Sequence, residues 1–365
     1  YNLTPDHTLR SGALITAQRT TSQTSSMVLT AVGGVEVPPP GDVPLAIQDN
    51  GAKTGWEYSV YLQDEWKALP SATVNYGARF DTIDDFTHEN QISPRLNGVW
   101  RATPSTTVHA GYARLFTPPP FELLSTTTID KFIGTTAQPA VLQDSTVKAE
   151  RADLFDVGVS QDVPPVPGLK LGIDVYYKHS TNLIDEGQFG APIILTPFNY
   201  RLGLNKGVEL TTSYDNGPLS VYGNLALAQQ KAKDIDSSQF NFSAADLAFI
   251  ATNAIHTDHD QFMTASAGVS YLWMATRFSA DLIAGSGLRA GGDHPNGSSL
   301  PSYEQVNLGV SHRFESAPGG PIEVRLDLIN LFDEVYEIRS GTGVGVGAPQ
   351  FGPRRSIFAG IKKEF

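Results

Sequence analysis

The chain has 365 residues, 40% of them hydrophobic and 18% charged, with no cysteine and a formal net charge of -12. Its mean hydropathy is -0.17, and no apolar run approaches the roughly 18 residues of a spanning helix, which excludes helical membrane insertion. The missing cysteines exclude a disulfide framework, a thiolate metal site and a cysteine nucleophile, and an acidic chain with dispersed Lys and Arg excludes nucleic acid as a partner.

The chain opens on Tyr1-Asn2-Leu3-Thr4-Pro5, which has neither an initiator Met nor the basic and apolar regions of a signal peptide. A processed, truncated or partial chain is therefore expected. From there about fourteen strands are predicted, each about 10 to 16 residues long. They start near His7, Gly55, Ala72, Gln91, Thr106, Arg151, Leu169, Leu204, Leu219, Gln261, Thr276, Ser302, Ile322 and Gly352.

Their signature is a period of two. Ala72, Val74, Tyr76, Ala78 and Phe80 alternate with Thr73, Asn75, Gly77 and Arg79. The same pattern recurs over residues 169–177, 219–227 and 322–328. In these four segments the apolar face carries no charge, whereas the other face carries Arg79, Lys170, Asp174, Glu323, Arg325 and Asp327. An Arg or Lys facing lipid at mid-depth costs about 2 to 4 kcal/mol, so a charge-free face is what lipid selects. In 55–69 the outward set Trp56, Tyr58, Val60, Leu62 and Trp66 places rings at both ends, as interfacial girdles require. Asp64 breaks that face and is expected near the periplasmic rim.

A soluble sandwich would bury an equally apolar face, but the connections separate the two. Short turns at 69–71, 104–105, 163–168, 216–217, 274–275 and 316–320 alternate with long loops at 20–54, 117–150, 187–203, 232–260, 288–301 and 334–351. Residues 85–90 are the one modest exception on the long side. Tight periplasmic turns and long extracellular loops belong to outer-membrane barrels. The expected fold is all-β, a transmembrane antiparallel β-barrel in the bacterial outer membrane.

Several motifs then carry a family resemblance. Leu328-Ile329-Asn330-Leu331-Phe332-Asp333, followed by Tyr336, resembles the Asn-Leu-Phe-Asp motif near the end of TonB-dependent receptors. Asn and Asp at a strand end can bond the backbone where the ladder gives way to a loop. The segment from Gly352 to Phe365 resembles the closing strand of outer-membrane proteins, with its terminal aromatic. Ile357, Ala359 and Ile361 fit the closing alternation and Lys363 departs from it. Weaker matches follow the family's order: 61–66, Tyr76 to Asp81, Ser93-Pro94-Arg95, Gly111 to Leu124, Val147 to Glu150 and Lys206 to Leu210.

The resemblance spans about Tyr58 to Phe365. It implies that residues 1–365 form the later part of a barrel of about 22 strands, with a plug and about eight strands missing upstream. It also implies an importer of a scarce nutrient, foremost a ferric siderophore. The implied partners are an extracellular ligand, the TonB-ExbB-ExbD system acting through the missing plug, the barrel assembly machinery reading Phe365, and outer-membrane lipid. No cofactor is implied. The alternative is a stand-alone passive channel of fourteen strands, an even number.

Candidate sites lie in the long loops. His256-Thr257-Asp258-His259-Asp260 gathers two imidazoles and two carboxylates, so His256, Asp258 and His259 are candidate ligands for a divalent metal. A polar loop foot leading into the next strand explains the same residues. His294, with Asp293, can add a ligand from the next loop. Arg201, Arg289, Phe240 and Phe242, with Phe198 and Tyr200, are candidate contacts for an anionic or aromatic ligand such as a catecholate chelate, although solvated loop positions account for them more simply. Gly341 to Gly347 lacks the strand-then-helix context of a nucleotide loop and reads as a flexible extracellular loop. No hydrolase or phosphotransfer motif is present, so no enzyme is expected.

Overall fold

The structure is a computed structural model that describes residues 1–32, 35, 36, 44–124, 129–189, 194–345 and 347–364. Fourteen long strands form one antiparallel sheet in which every strand pairs with its neighbour in sequence. They are β1 (His7–Val28), β2 (Leu45–Leu69), β3 (Ala72–Asp84), β4 (His88–Thr103), β5 (Thr106–Thr117), β6 (Glu150–Asp162) and β7 (Leu169–Phe189). The order continues with β8 (Ile194–Asn216), β9 (Leu219–Ile235), β10 (Met263–Trp273), β11 (Thr276–Gly285), β12 (Tyr303–Phe314), β13 (Ile322–Ile329) and β14 (Ser356–Lys363). Among the described residues the sheet does not close on itself. β14 pairs with β13 alone, and the other edge is a three-residue strand, Asn2–Thr4, folded back on β1. Phe365, the expected assembly signal, lies outside the described residues.

The apolar faces point outward and stay uncovered. On β7, Leu171, Ile173, Val175 and Tyr177 are 43–45% exposed, although each is flanked by pairing on both sides. Burial goes the other way: every buried apolar side chain among the described residues sits toward the loop end of the sheet. A wall with greasy outer positions and a core confined to one end is what a chain solvated by lipid over part of its height requires.

Asp64 interrupts this outer face one outward step from Trp66 and the turn at 70–71. Its carboxylate takes hydrogen bonds from His7 Nδ1 at 2.6 Å and Tyr76 Oη at 2.9 Å, and His7 stacks on Trp66. The charge is thus paired and covered by rings on the turn side. The opposite face carries a polar lattice. His109 Nε2 reaches Asp174 at 2.7 Å, and Asp81 accepts from Arg79 Nε at 2.5 Å and Ser59 Oγ at 2.6 Å.

Two expectations on strand bounds are corrected. The loops read over 20–54 and 187–203 are largely strand: β1 and β2 stay paired out to Val28↔Leu45, and β7 and β8 out to Phe189↔Ile194. Where both faces of a ribbon meet the same polar surroundings no alternation is imposed, so 16–28 and 45–54 show none although the ladder continues. Arg201, Phe198 and Tyr200 therefore stand on β8 rather than in a loop. The glycine-rich loop read over 341–347 is held at Val344, which is buried and exchanges hydrogen bonds of 2.8 and 3.0 Å with Asn296.

Asn330 shows how the sheet hands over to a loop. It is buried at φ 53°, donates from Nδ2 to the carbonyls of Glu334 and Pro353, and accepts from the Glu334 N–H, each at 2.9 Å. Its own N–H donates to Asn307 Oδ1. One side chain thus ties the end of β13 to the segment entering β14. Asp333, in the same motif, holds Arg354 and the Arg355 N–H.

Candidate functional site

The loop end is built as a packed cap. Phe198 and Tyr200 project from β8, where Asn182 on β7 takes a left-handed φ of 53° and skips a pairing. Phe198 meets Phe242 and Tyr200 edge-on, with ring centres 4.8 and 5.0 Å apart. Ile250 of the helix α1 (Ala244–Thr252), Ile255 and Val344 complete this cluster. Ser243 caps the helix by accepting from the Asp246 N–H. A second cluster gathers Phe240, Phe189 and Phe132 edge-to-face. Phe240 and Phe242, read as candidate ligand contacts, are each 6% exposed and form the floor of the cap.

Charged groups converge above this floor. Asp258 lies beside His259, and Arg339 contacts both the Asp258 carboxylate, at 3.3 Å, and His259 Nε2. Asp185 comes from β7, its Oδ1 3.8 Å from His259 Nδ1. His256 takes a separate partner. Its Nδ1 is 2.6 Å from Asp260, which also receives Arg289 at 3.0 Å. The pentapeptide 256–260 therefore divides into two adjoining sets, and the backbone N–H of Arg289 joins them by donating to the Asp258 carbonyl. Asn296 secures the second set from below by donating to the His256 carbonyl.

The electrostatics follow from burial. Loss of solvent first, then the Asp258 charge, push the Asp185 carboxyl up to about 7. Burial, with both carboxylates behind it, drives the Tyr200 phenol well above its ordinary value. Desolvation lowers the His256 imidazole, whereas the hydrogen bond to Asp258 raises that of His259.

Among the described residues, one trio of Asp and His side chains places its ligand atoms within 4.8 Å of one another: Asp185, Asp258 and His259. His256 is not in it. Asp185 was invisible to sequence reading because only the register of β7 on β8 brings it to the pentapeptide. Arg339 is a second such arrival, from the loop after β13. The remaining candidates stand apart. Arg201 is largely exposed and pairs with Asp234 at 2.9 Å. His294 stacks on Phe249 beside a cavity of about 470 Å³ lined also by Asp246 and Asp293.

Residues 2–331 match the family model described as TonB dependent receptor-like, beta-barrel. No curated protein sequence matches the chain. Among solved structures it resembles a mutant of the ferric enterobactin receptor PfeA of Pseudomonas aeruginosa, with TM-score 0.65 and 17% identity over 98% of this chain and 51% of that one. It likewise resembles the copper transporter OprC, with TM-score 0.66 and 14% identity over 99% and 54%. The FrpB iron transporter of Neisseria meningitidis gives TM-score 0.66 and 13% identity over 100% and 54%. The chain thus spans about half the length of the structures it matches, and these likenesses establish the fold.

Proposed function

Because the chain belongs to the family of TonB-dependent receptor-like β-barrels, we propose that it is the wall and extracellular mouth of an outer-membrane importer whose cargo is a ferric siderophore. The observation that carries this reading is the separation of the molecule into a lipid-suited wall and a packed, charged cap. A passive pore has no use for a mouth filled by two aromatic clusters and locked by Asn296 and Arg289. In the proposal Phe240 and Phe242 form the platform, while Arg201 and His294 offer exposed cationic or polar contacts to an anionic chelate. The likeness to a ferric enterobactin receptor supports a catecholate chelate as first choice.

The two free sheet edges call for further strands, and energy-coupled gating calls for a plug and the TonB-ExbB-ExbD system; both are part of the proposal. So is delivery by the barrel assembly machinery through Phe365. The test is uptake of radiolabelled ferric enterobactin by cells carrying or lacking the gene, each with and without TonB. Uptake that needs both is expected. Uptake indifferent to the gene would remove the siderophore assignment, and gene-dependent uptake indifferent to TonB would restore the passive channel.

A further inference from the structure

The trio in the cap has a property that sequence alone did not display. Asp258 is 5% and Asp185 8% exposed in their side chains, so two carboxylates are buried side by side. The Asp258 carboxylate meets only His259, at Oδ1, and Arg339, at Oδ2, whereas the buried Asp185 Oδ2 and the Tyr200 hydroxyl next to them have no hydrogen-bond partner. Tyr200 stands two residues along β8 from Phe198, the cross-strand neighbour of Asp185. Buried polar atoms are nearly always satisfied, and a group of orphans in one place points to an ion. The charges facing the pair are Arg339 and the half-exposed His259.

We propose that Asp185, Asp258 and His259 bind a divalent cation of the zinc class, and that Arg339 occupies the site in its place when the cation is absent. The donor set decides the class, because one imidazole nitrogen with two carboxylates suits a borderline transition metal better than calcium or magnesium. The ligand atoms lie within 4.8 Å of one another, and three ligands about 2 Å from one ion lie within about 4 Å of each other, so binding draws them together by about 1 Å at most. Three protein ligands leave one position open, toward the exposed edge of His259. Arg339 supplies the exclusion. An ion on His259 Nδ1 leaves Nε2 as an N–H donor, which cannot face a guanidinium. Metal entry therefore expels Arg339 from both Asp258 and His259, and the two cations compete. The ligands come from β7 and from the connection between β9 and β10, so the ion would clamp the two across the floor of the cap. This site is independent of the cargo proposed above.

The test is zinc titration by calorimetry on the full chain folded in detergent, with limited proteolysis of the cap before and after a chelator. Wild type is expected to bind one Zn²⁺ per chain and to resist cleavage when loaded. Asp258→Asn and His259→Ala are expected to weaken binding by at least about tenfold. The His259 variant serves as the safeguard for folding because its side chain is half exposed. Arg339→Gln is expected to bind more tightly than wild type. No binding by wild type, or binding that survives both ligand substitutions, would overturn the site, and unchanged or weaker binding by Arg339→Gln would overturn the competition.

Discussion

Replacing Asn330 tests the joint between β13 and the closing segment. Asn330→Ala removes three side-chain hydrogen bonds, two to the carbonyls of Glu334 and Pro353 and one from the Glu334 N–H. At about 1 kcal/mol each these sum to about 3 kcal/mol. The φ of 53° adds about 1 kcal/mol for Ala, because a Cβ crowds the carbonyl in the left-handed region where Asn is tolerated. The expected loss is thus about 4 kcal/mol, read from urea unfolding in detergent by the fluorescence of the 4 tryptophans. Asn330→Gly frees the backbone but not the bonds and should lose about 3 kcal/mol. A loss under about 1 kcal/mol for Ala, or a larger loss for Gly than for Ala, would refute the reasoning.

Three further outcomes are expected. The buried Asp185 carboxyl keeps its proton up to about pH 7, whereas the unfolded one ionises near 3.8. The native state therefore holds the extra proton between those values, and stability falls as pH rises through them. With chelator present, Asp185→Asn should match wild type at pH 4 and exceed it at pH 8 by on the order of 4 kcal/mol; thermal unfolding at both values checks this, and equal gains at both would contradict it. The Arg354 guanidinium and the Arg355 N–H hold Asp333 below the usual carboxylate range. That contribution is present above 3.8 and lost as pH falls further, so hydrogen-exchange protection of the Arg355 amide should drop in acid and, at neutral pH, in Arg354→Ala. On the outer face, Ile173→Arg should cost about 2 to 4 kcal/mol in bilayers, whereas Thr211→Arg on the neighbouring strand of the polar face should cost far less.

The wall was legible because its two faces meet different solvents. A face suited to lipid and a polar face opposite impose a period of two, and each of the fourteen expected strands overlaps a strand of the sheet. It failed where the solvent became the same on both sides, which is why the starts of β2 at Leu45 and β8 at Ile194 were set too late. The cap was illegible for a different reason. Phe198, Phe240 and Phe242 occur in stretches with no regular period, so their burial depends on contacts between segments far apart in the chain. The same holds for the site: the pentapeptide 256–260 stood out, but its assignment of ligands changed once β7 delivered Asp185 and the loop after β13 delivered Arg339. The Asn330 motif was readable as a strand end because its bonds to Glu334 are local, whereas those to Asn307 and Pro353 were not legible.

The orientation of wall and cap underlies every functional statement, and the cysteine-free chain makes it directly measurable. Single cysteines at Ala254 in the cap, Val166 in a tight turn and Val175 on the outer face can be offered a membrane-impermeant maleimide on intact cells. Ala254→Cys is expected to react at once, Val166→Cys only after the envelope is opened, and Val175→Cys in neither state. Reaction of Val166→Cys on intact cells, or of Val175→Cys in either state, would contradict a lipid-embedded wall with its cap facing the outside.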